Sequence, residues 1–176
     1  MPFADNIFSL IDMRSFSSVW FWIVLALYWS AATQVILGAP HDLVLRARKN
    51  IDPQHLEDLH TLVGIHIRRK LTVMRRVGHW IVAFVAALLT LIFVLAFFYS
   101  LEFAQAVFLL LMPMTIVRLL GLRLALRVER ENLRDARLCR ALLTHRFWLQ
   151  LLGMLSIFSA AIWGMLQVMT QSVLGF

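Results

Sequence analysis

Four long stretches of this chain carry no Asp, Glu, Lys or Arg, and this feature limits its possible folds more than any other. They cover residues 15–40, 77–101, 103–117 and 147–176. A helix needs about 20 apolar residues to cross the roughly 30 Å hydrocarbon core of a bilayer. The chain is only 15% charged, whereas soluble domains have about 25% charged residues. The sequence therefore predicts an integral membrane protein.

The apolar stretches predict four transmembrane helices, at residues 16–37, 80–99, 103–122 and 147–169. The third one extends past Arg118, because an arginine near a helix end can lay its stem along apolar surface and place its charge among the headgroups. Pro113 is expected to kink that helix. Residues 1–15 have apolar side chains at roughly helical spacing, which predicts an outer interfacial segment lying on the membrane surface.

Two polar segments, residues 41–79 and 123–146, follow the first and third spans and are expected to be largely helical. Asp52 before Pro53 predicts a helix start. The apolar face that follows predicts that this helix continues into the second span, with Gly78 as the expected place of a kink. We call the two polar segments together the basic cap.

The chain must reverse its direction between the third and fourth spans. The expected turn covers residues 129–132, with Asn132 capping the helix that follows, and Thr144 is the alternative position. A turn at 129–132 would extend both spans into the basic cap by roughly 15–20 Å, at about 1.5 Å per residue.

Positive charge is concentrated on one side of the predicted membrane. Residues 41–79 and 118–146 contain 16 of the 17 Lys and Arg residues, and only Arg14 lies elsewhere. Segments rich in Lys and Arg stay in the cytoplasm. The predicted fold class is therefore an all-α, integral membrane four-helix bundle with basic cytoplasmic helical extensions. It forms a single domain in the bacterial inner (cell) membrane, with both termini in the periplasm.

The arginines of the basic cap recur at spacings of three and four, which places them in stripes on helices. Such stripes are expected to contact anionic lipid headgroups or an acidic protein partner. The residues expected to make these contacts are Arg68, Arg69, Lys70, Arg123, Arg127, Arg130, Arg134 and Arg137. Neither segment of the cap contains a Phe, Tyr or Trp on which bases could stack, so nucleic acid is not an expected partner.

Few residues are suited to catalysis, and the sequence predicts no catalytic residue, cofactor or metal. His41, His79 and His145 fall at the cytoplasmic edges of three spans. Three histidines at one depth can bind a metal or haem iron, but polar anchoring at the interface is the simpler interpretation. Cys139 is the single cysteine, which excludes an internal disulfide.

Small residues spaced four apart allow close contact between membrane helices, because lipid provides no hydrophobic drive for their association. Ser156, Ala160 and Gly164 have this spacing on the fourth span, and Ala83 and Ala87 have it on the second. They are predicted to pack helices, either within the bundle or against a second copy or a larger membrane complex.

The segment at residues 11–49 resembles the start of a small family of membrane proteins from photosynthetic and marine alphaproteobacteria. The similarity lies in Asp12-Met13-Arg14-Ser15-Phe16, the tryptophan-rich span, Gly38-x-Pro40-x-Asp42 with Arg46-Ala47-Arg48, and EFAQAVFLL at 102–110. Members are labelled as a component of the Suf iron–sulfur assembly complex. The resemblance implies a membrane-side accessory role, since clusters are usually held by several thiolates and this chain has one cysteine.

The sequence favours a non-catalytic accessory, assembly or scaffold protein of a bacterial inner-membrane complex. Two alternatives stay open. A small oligomeric transporter or channel would need a polar path, for which the candidates are Gln34, Gln105 and Gln150. An interfacial lipid-modifying enzyme would use Asp42, His41, His79 or His145.

Overall fold

The computed structural model of the protein describes residues 19–49 and 53–174. Within them the chain forms, in order, α1 Val19–Gln34, β1 Val35–Ile36, β2 Ala39–Pro40, α2 His41–Lys49, α3 Pro53–Phe97, α4 Glu102–Glu131 and α5 Asp135–Leu174. The expected interfacial segment at 1–15, the first residues of the first span and the Asp52 cap lie outside the described residues.

Three described helices are long and apolar enough to cross a membrane: Gln54–Phe97 of α3, Glu102–Glu131 of α4 and Asp135–Gln167 of α5. The prediction of an all-α protein with several such helices is confirmed. α3 is a single helix of 45 residues, so Gly78 does not interrupt it. α4 likewise continues through Pro113.

The first apolar helix ends earlier than predicted. α1 ends at Gln34 rather than Leu37, because the next residues form a hairpin in which Val35 pairs with Pro40. The two residues at the tip, Leu37 and Gly38, have φ values of 48° and 78°. Positive φ at both central residues is the geometry of the tightest hairpin turns. The described helix has 16 residues, fewer than the about 20 that a crossing needs.

The turn between α4 and α5 begins three residues later than predicted. α4 continues to Glu131, and Asn132 then adopts a left-handed conformation with φ 45° while its N–H bonds to the Val128 carbonyl. Asparagine adopts this conformation more readily than most residues, and it ends helices. Asn132 therefore caps the end of α4 instead of the start of α5, and Thr144 lies inside α5.

The larger hydrophobic core lies in the basic cap. Leu59, Val63, Ile67 and Leu71 share one face of α3, and none of them is more than 5% exposed. They pack with buried side chains of the hairpin, α2, α4 and α5: Ile36, Ala39, Val44, Ala47, Leu124, Ala125, Val128, Leu138, Cys139, Leu142 and Leu149. This core holds α4 and α5 beside each other outside their apolar segments.

The apolar segment of α3 has little contact with the rest of the described chain. No side chain between residues 79 and 95 is buried, and Trp80 and Phe84 are 70% and 69% exposed. Ala83 and Ala87, which were predicted to pack helices, are exposed as well. This surface is open to lipid or to another protein.

Candidate functional site

A groove of about 700 Å³ lies between α4 and α5 in the basic cap. We call it the α4–α5 groove. Its polar lining residues include Arg123, Arg127 and Glu131 on α4, and Arg137 and Arg140 on α5, with Trp148 at one end. Residues spaced three and four apart on each helix share a face, which explains how both helices contribute several side chains. The volume is typical of ligand pockets, which span about 300–1,000 Å³.

Positive charge in the α4–α5 groove is only partly neutralised. The Glu131 carboxylate accepts a hydrogen bond of 3.1 Å from Nε of Arg127, one turn away on the same helix. Arg123, Arg137 and Arg140 form no ion pair with any other described residue. Three guanidinium groups therefore line the groove without a carboxylate partner from residues 19–49 and 53–174.

Two other grooves of the basic cap have less positive charge. A groove of about 780 Å³ between α2, α3 and α5 is lined by Arg48, by Asp135 and by Arg140, which also lines the α4–α5 groove. A groove of about 560 Å³ beside the α4–α5 turn is lined by Arg68 and Arg134. Their positive charges are balanced by the carboxylates of Glu129 and Asp135, which line the same groove. Among these three, the α4–α5 groove is the best suited to an anion.

The structure brings together only part of the predicted contact set. Arg123, Arg127 and Arg137 meet in the α4–α5 groove. Arg68 and Arg134 line the balanced groove instead, and Arg69 and Arg130 are exposed elsewhere.

Arg140 completes the α4–α5 groove although the sequence analysis did not select it. Its position three residues after Arg137, followed by Thr144 and Trp148 at four-residue steps, gives one continuous face of α5. That spacing is the signal that could have identified it.

Lys70 differs from Arg68 and Arg69, because its side chain reaches between α3 and α4. Its Nζ atom lies 2.9 Å from the position that a Cβ on Gly121 would occupy, so this glycine makes room for the amine. Burial lowers the pKa of Lys70, which lies outside the predicted spans, and the nearby Arg118 guanidinium lowers it further. Both effects make the protonated, charged form of the Lys70 amine less favourable.

Replacing Lys70 with methionine is expected to keep or raise stability, by up to about 1 kcal/mol, because an apolar side chain removes the desolvation of the amine. The lowered pKa also means that the unfolded chain holds this proton more tightly than the folded one. Stability of the unmodified protein should therefore rise as pH increases toward the ordinary value of 10.5, and the variant should lack this rise. Thermal unfolding in detergent from pH 7 upward measures both effects. Arg69→Met is the control, and a clear loss of stability in Lys70→Met alone would contradict the expectation.

The histidines at the predicted membrane edge lie on three different helices. His41 begins α2, while exposed His79 lies on α3 and His145, on α5, is 8% exposed. Among residues 19–49 and 53–174, no three His, Cys, Asp or Glu side chains are grouped closely enough to hold a metal ion. Cys139 is buried in the cap core, and this burial raises the pKa of its thiol.

The small residues of α5 are buried, and one of them contacts α1. Ser156 and Ala160 are 9% and 0% exposed, and Gly164 is buried as well. Ala160 packs against Leu25 and Trp29 of α1. The described part of the first predicted span is thus held against the fourth.

Replacing Gly153 with alanine is expected to weaken this interface by about 1 kcal/mol, since the added methyl group overpacks a filled site. A Cβ at Gly153 would stand 2.9 Å from Cε3 of Trp29, a rigid ring that is only 6% exposed. Gly121→Ala is the matched control, because there the close atom is the flexible end of Lys70. Unfolding in detergent should show that Gly153→Ala is less stable than Gly121→Ala. The reverse order of stabilities would contradict this packing.

The three glutamines of the possible transport path do not form one path. Gln105 is 5% exposed; it donates to the Ala96 carbonyl at 3.0 Å and accepts from Trp163 at 3.0 Å and Gln167 at 2.6 Å. Gln34 and Gln150 are exposed. Gln150 lies 13 residues from Trp163 on α5, about 20 Å along a helix.

No family model, curated protein or solved structure matches this chain. A function for this chain is therefore proposed from the geometry described above.

Proposed function

We propose that the protein is a non-catalytic accessory, assembly or scaffold protein of a bacterial inner-membrane complex. It docks anionic lipid or an acidic protein partner through the basic cap. The observation that carries this proposal is the set of three unpaired arginines in the α4–α5 groove, held by a cap with its own hydrophobic core. Electrostatic attraction between such residues and an anionic surface or partner is the binding force.

The proposed topology has four spans, with the basic cap in the cytoplasm and both termini in the periplasm. It is supported by 16 of 17 Lys and Arg residues lying in or beside the cap. The contact of α1 with α5 is consistent with a first span that belongs to the same bundle. Reporter fusions near residues 60 and 130 should give the same cytoplasmic signal. Opposite signals would overturn the topology.

The family resemblance suggests that the proposed accessory role is in iron–sulfur assembly at the membrane. The cysteine content of this chain does not fit an iron–sulfur cluster bound by the chain itself. Clusters are usually bound by several thiolates, and the single cysteine, Cys139, is buried among apolar side chains. The proposed role is therefore to place partners at the membrane rather than to carry the cluster.

No specific observation favours either of the two alternative functions. Gln105 already has hydrogen-bond partners from three residues, which leaves it little capacity to bind a transported solute. Asp42, the carboxylate considered for a lipid-modifying enzyme, pairs with Arg46 at 2.7 Å. His79 lies on a different helix, in a groove that contains no carboxylate.

Purification in mild detergent tests the proposed function directly. We expect the protein to co-purify with a defined set of membrane or cytoplasmic proteins, whose recovery falls when Arg123, Arg137 and Arg140 of the α4–α5 groove are changed to glutamine. Recovery of the protein alone, or an unchanged set of proteins with the variant, would count against docking of a protein partner through the basic cap.

A further inference from the structure

We propose that the α4–α5 groove binds the phosphate-bearing headgroup of a single anionic phospholipid. This inference rests on the proposed topology. It specifies where, within the proposed function, the anionic lipid binds. Arginine is suited to such a ligand because its planar guanidinium can donate two parallel hydrogen bonds to phosphate oxygens. Arg123, Arg137 and Arg140 are available for this, since none of them is paired with another described residue.

The groove lies where lipid phosphates are expected. The predicted third span ends at residue 122 and the predicted fourth span begins at 147, so Arg123 and His145 lie just on the polar side of the boundary. Trp148 lines the membrane end of the groove and is 54% exposed. Tryptophan is enriched at the level of the headgroups, which places the arginines at and above the phosphates.

An apolar surface continues from the groove toward the membrane interior. On α4, Leu119 and Met112 are 48% and 44% exposed, and on α5, Trp148 and Leu155 are 54% and 55% exposed. Each pair is seven residues apart, which puts its members on one face of the helix. A lipid with its headgroup in the groove would lay its acyl chains along these side chains. An acidic peptide would leave this surface uncovered, and the observations therefore favour the lipid.

Native mass spectrometry of the full chain in detergent, titrated with phosphatidylglycerol or phosphatidylcholine, tests the proposal. We expect the anionic lipid to bind about tenfold or more tightly than the zwitterionic one. Changing Arg123, Arg137 and Arg140 together to glutamine should remove most of this difference. The matched control changes Arg46, Arg75 and Arg76, which are exposed on α2 and α3 and do not line the groove. It removes the same charge and should alter the lipid preference less than about twofold.

Several outcomes would overturn the proposal. These are no preference for the anionic lipid, an equal loss in both triple variants, or displacement of the lipid by inorganic phosphate or glycerol phosphate at low millimolar concentration. If the groove triple variant does not fold, Arg123→Gln and Arg140→Gln are measured singly, and each should weaken anionic lipid binding more than Arg76→Gln does. Partner co-purification is measured separately, so recovery of a defined complex without lipid preference would refute this site and leave the proposed function standing.

Discussion

The Gly38→Ala variant is expected to lose about 1.5–3.5 kcal/mol of folding stability, the largest effect of any single substitution considered. Gly38 has φ 78°, a left-handed conformation that costs other residues about 1–2 kcal/mol. A Cβ at this position would also overlap the imidazole ring of His66 on α3. Moving that ring aside breaks its 3.0 Å hydrogen bond to the Leu62 carbonyl, at a cost of about 0.5–1.5 kcal/mol.

Two further variants separate these contributions. Gly64→Ala on α3 is the control, because nothing lies within 4 Å of a Cβ built there, and alanine should stabilise the helix by about 0.5–1 kcal/mol. His66→Ala is the second variant. It already lacks the Leu62 hydrogen bond, so adding Gly38→Ala to it should cost only the backbone part, about 1–2 kcal/mol. Chemical or thermal unfolding in one detergent gives all of these stabilities. Equal stability of Gly38→Ala and Gly64→Ala would show that the hairpin does not rest on α3.

The Gln105→Leu variant is expected to lose about 2 kcal/mol, the second largest effect. Gln105 makes one hydrogen bond to each of Ala96, Trp163 and Gln167, and so joins α4 to α3 and α5. Hydrogen bonds between membrane helices contribute about 0.6 kcal/mol each on average. Leucine preserves the size of the side chain but leaves the indole N–H and the Gln167 amide without this acceptor.

Gln150→Leu is the matched control for this cluster, because Gln150 is exposed on α5 and leucine there meets only lipid or detergent. It should be neutral or slightly stabilising. A double-mutant cycle between Gln105→Leu and Trp163→Phe should give a coupling energy of about 0.5–1 kcal/mol. Independent, additive effects of the two substitutions would mean that the cluster does not bind the helices together.

Hydropathy and charge predicted the helices well but located their ends less well. The second, third and fourth spans fall on membrane-length helices, because an uninterrupted apolar run is a property of the chain itself. The predicted end of the first span and the predicted start of the turn after α4 each differ from the structure by three residues. In both places residues with positive φ form the turn that follows the helix: Leu37 and Gly38 in the hairpin after α1, and Asn132 directly after α4. Local backbone geometry of this kind has little effect on average hydropathy.

The sequence by itself determined that the chain is helical, apolar enough for a membrane, and basic at one end. Only the tertiary structure decided which basic residues share a site: Arg140 joins Arg123 and Arg137 in the α4–α5 groove, while Lys70 reaches the space beside Gly121. The physical reason is that hydropathy and charge act along one helix, whereas the rotation and register of two helices depend on side-chain packing between distant residues. Leu124 and Val128 on α4 pack with Leu138 and Leu142 on α5 in the cap core, and this packing sets which faces of the two helices enclose the groove.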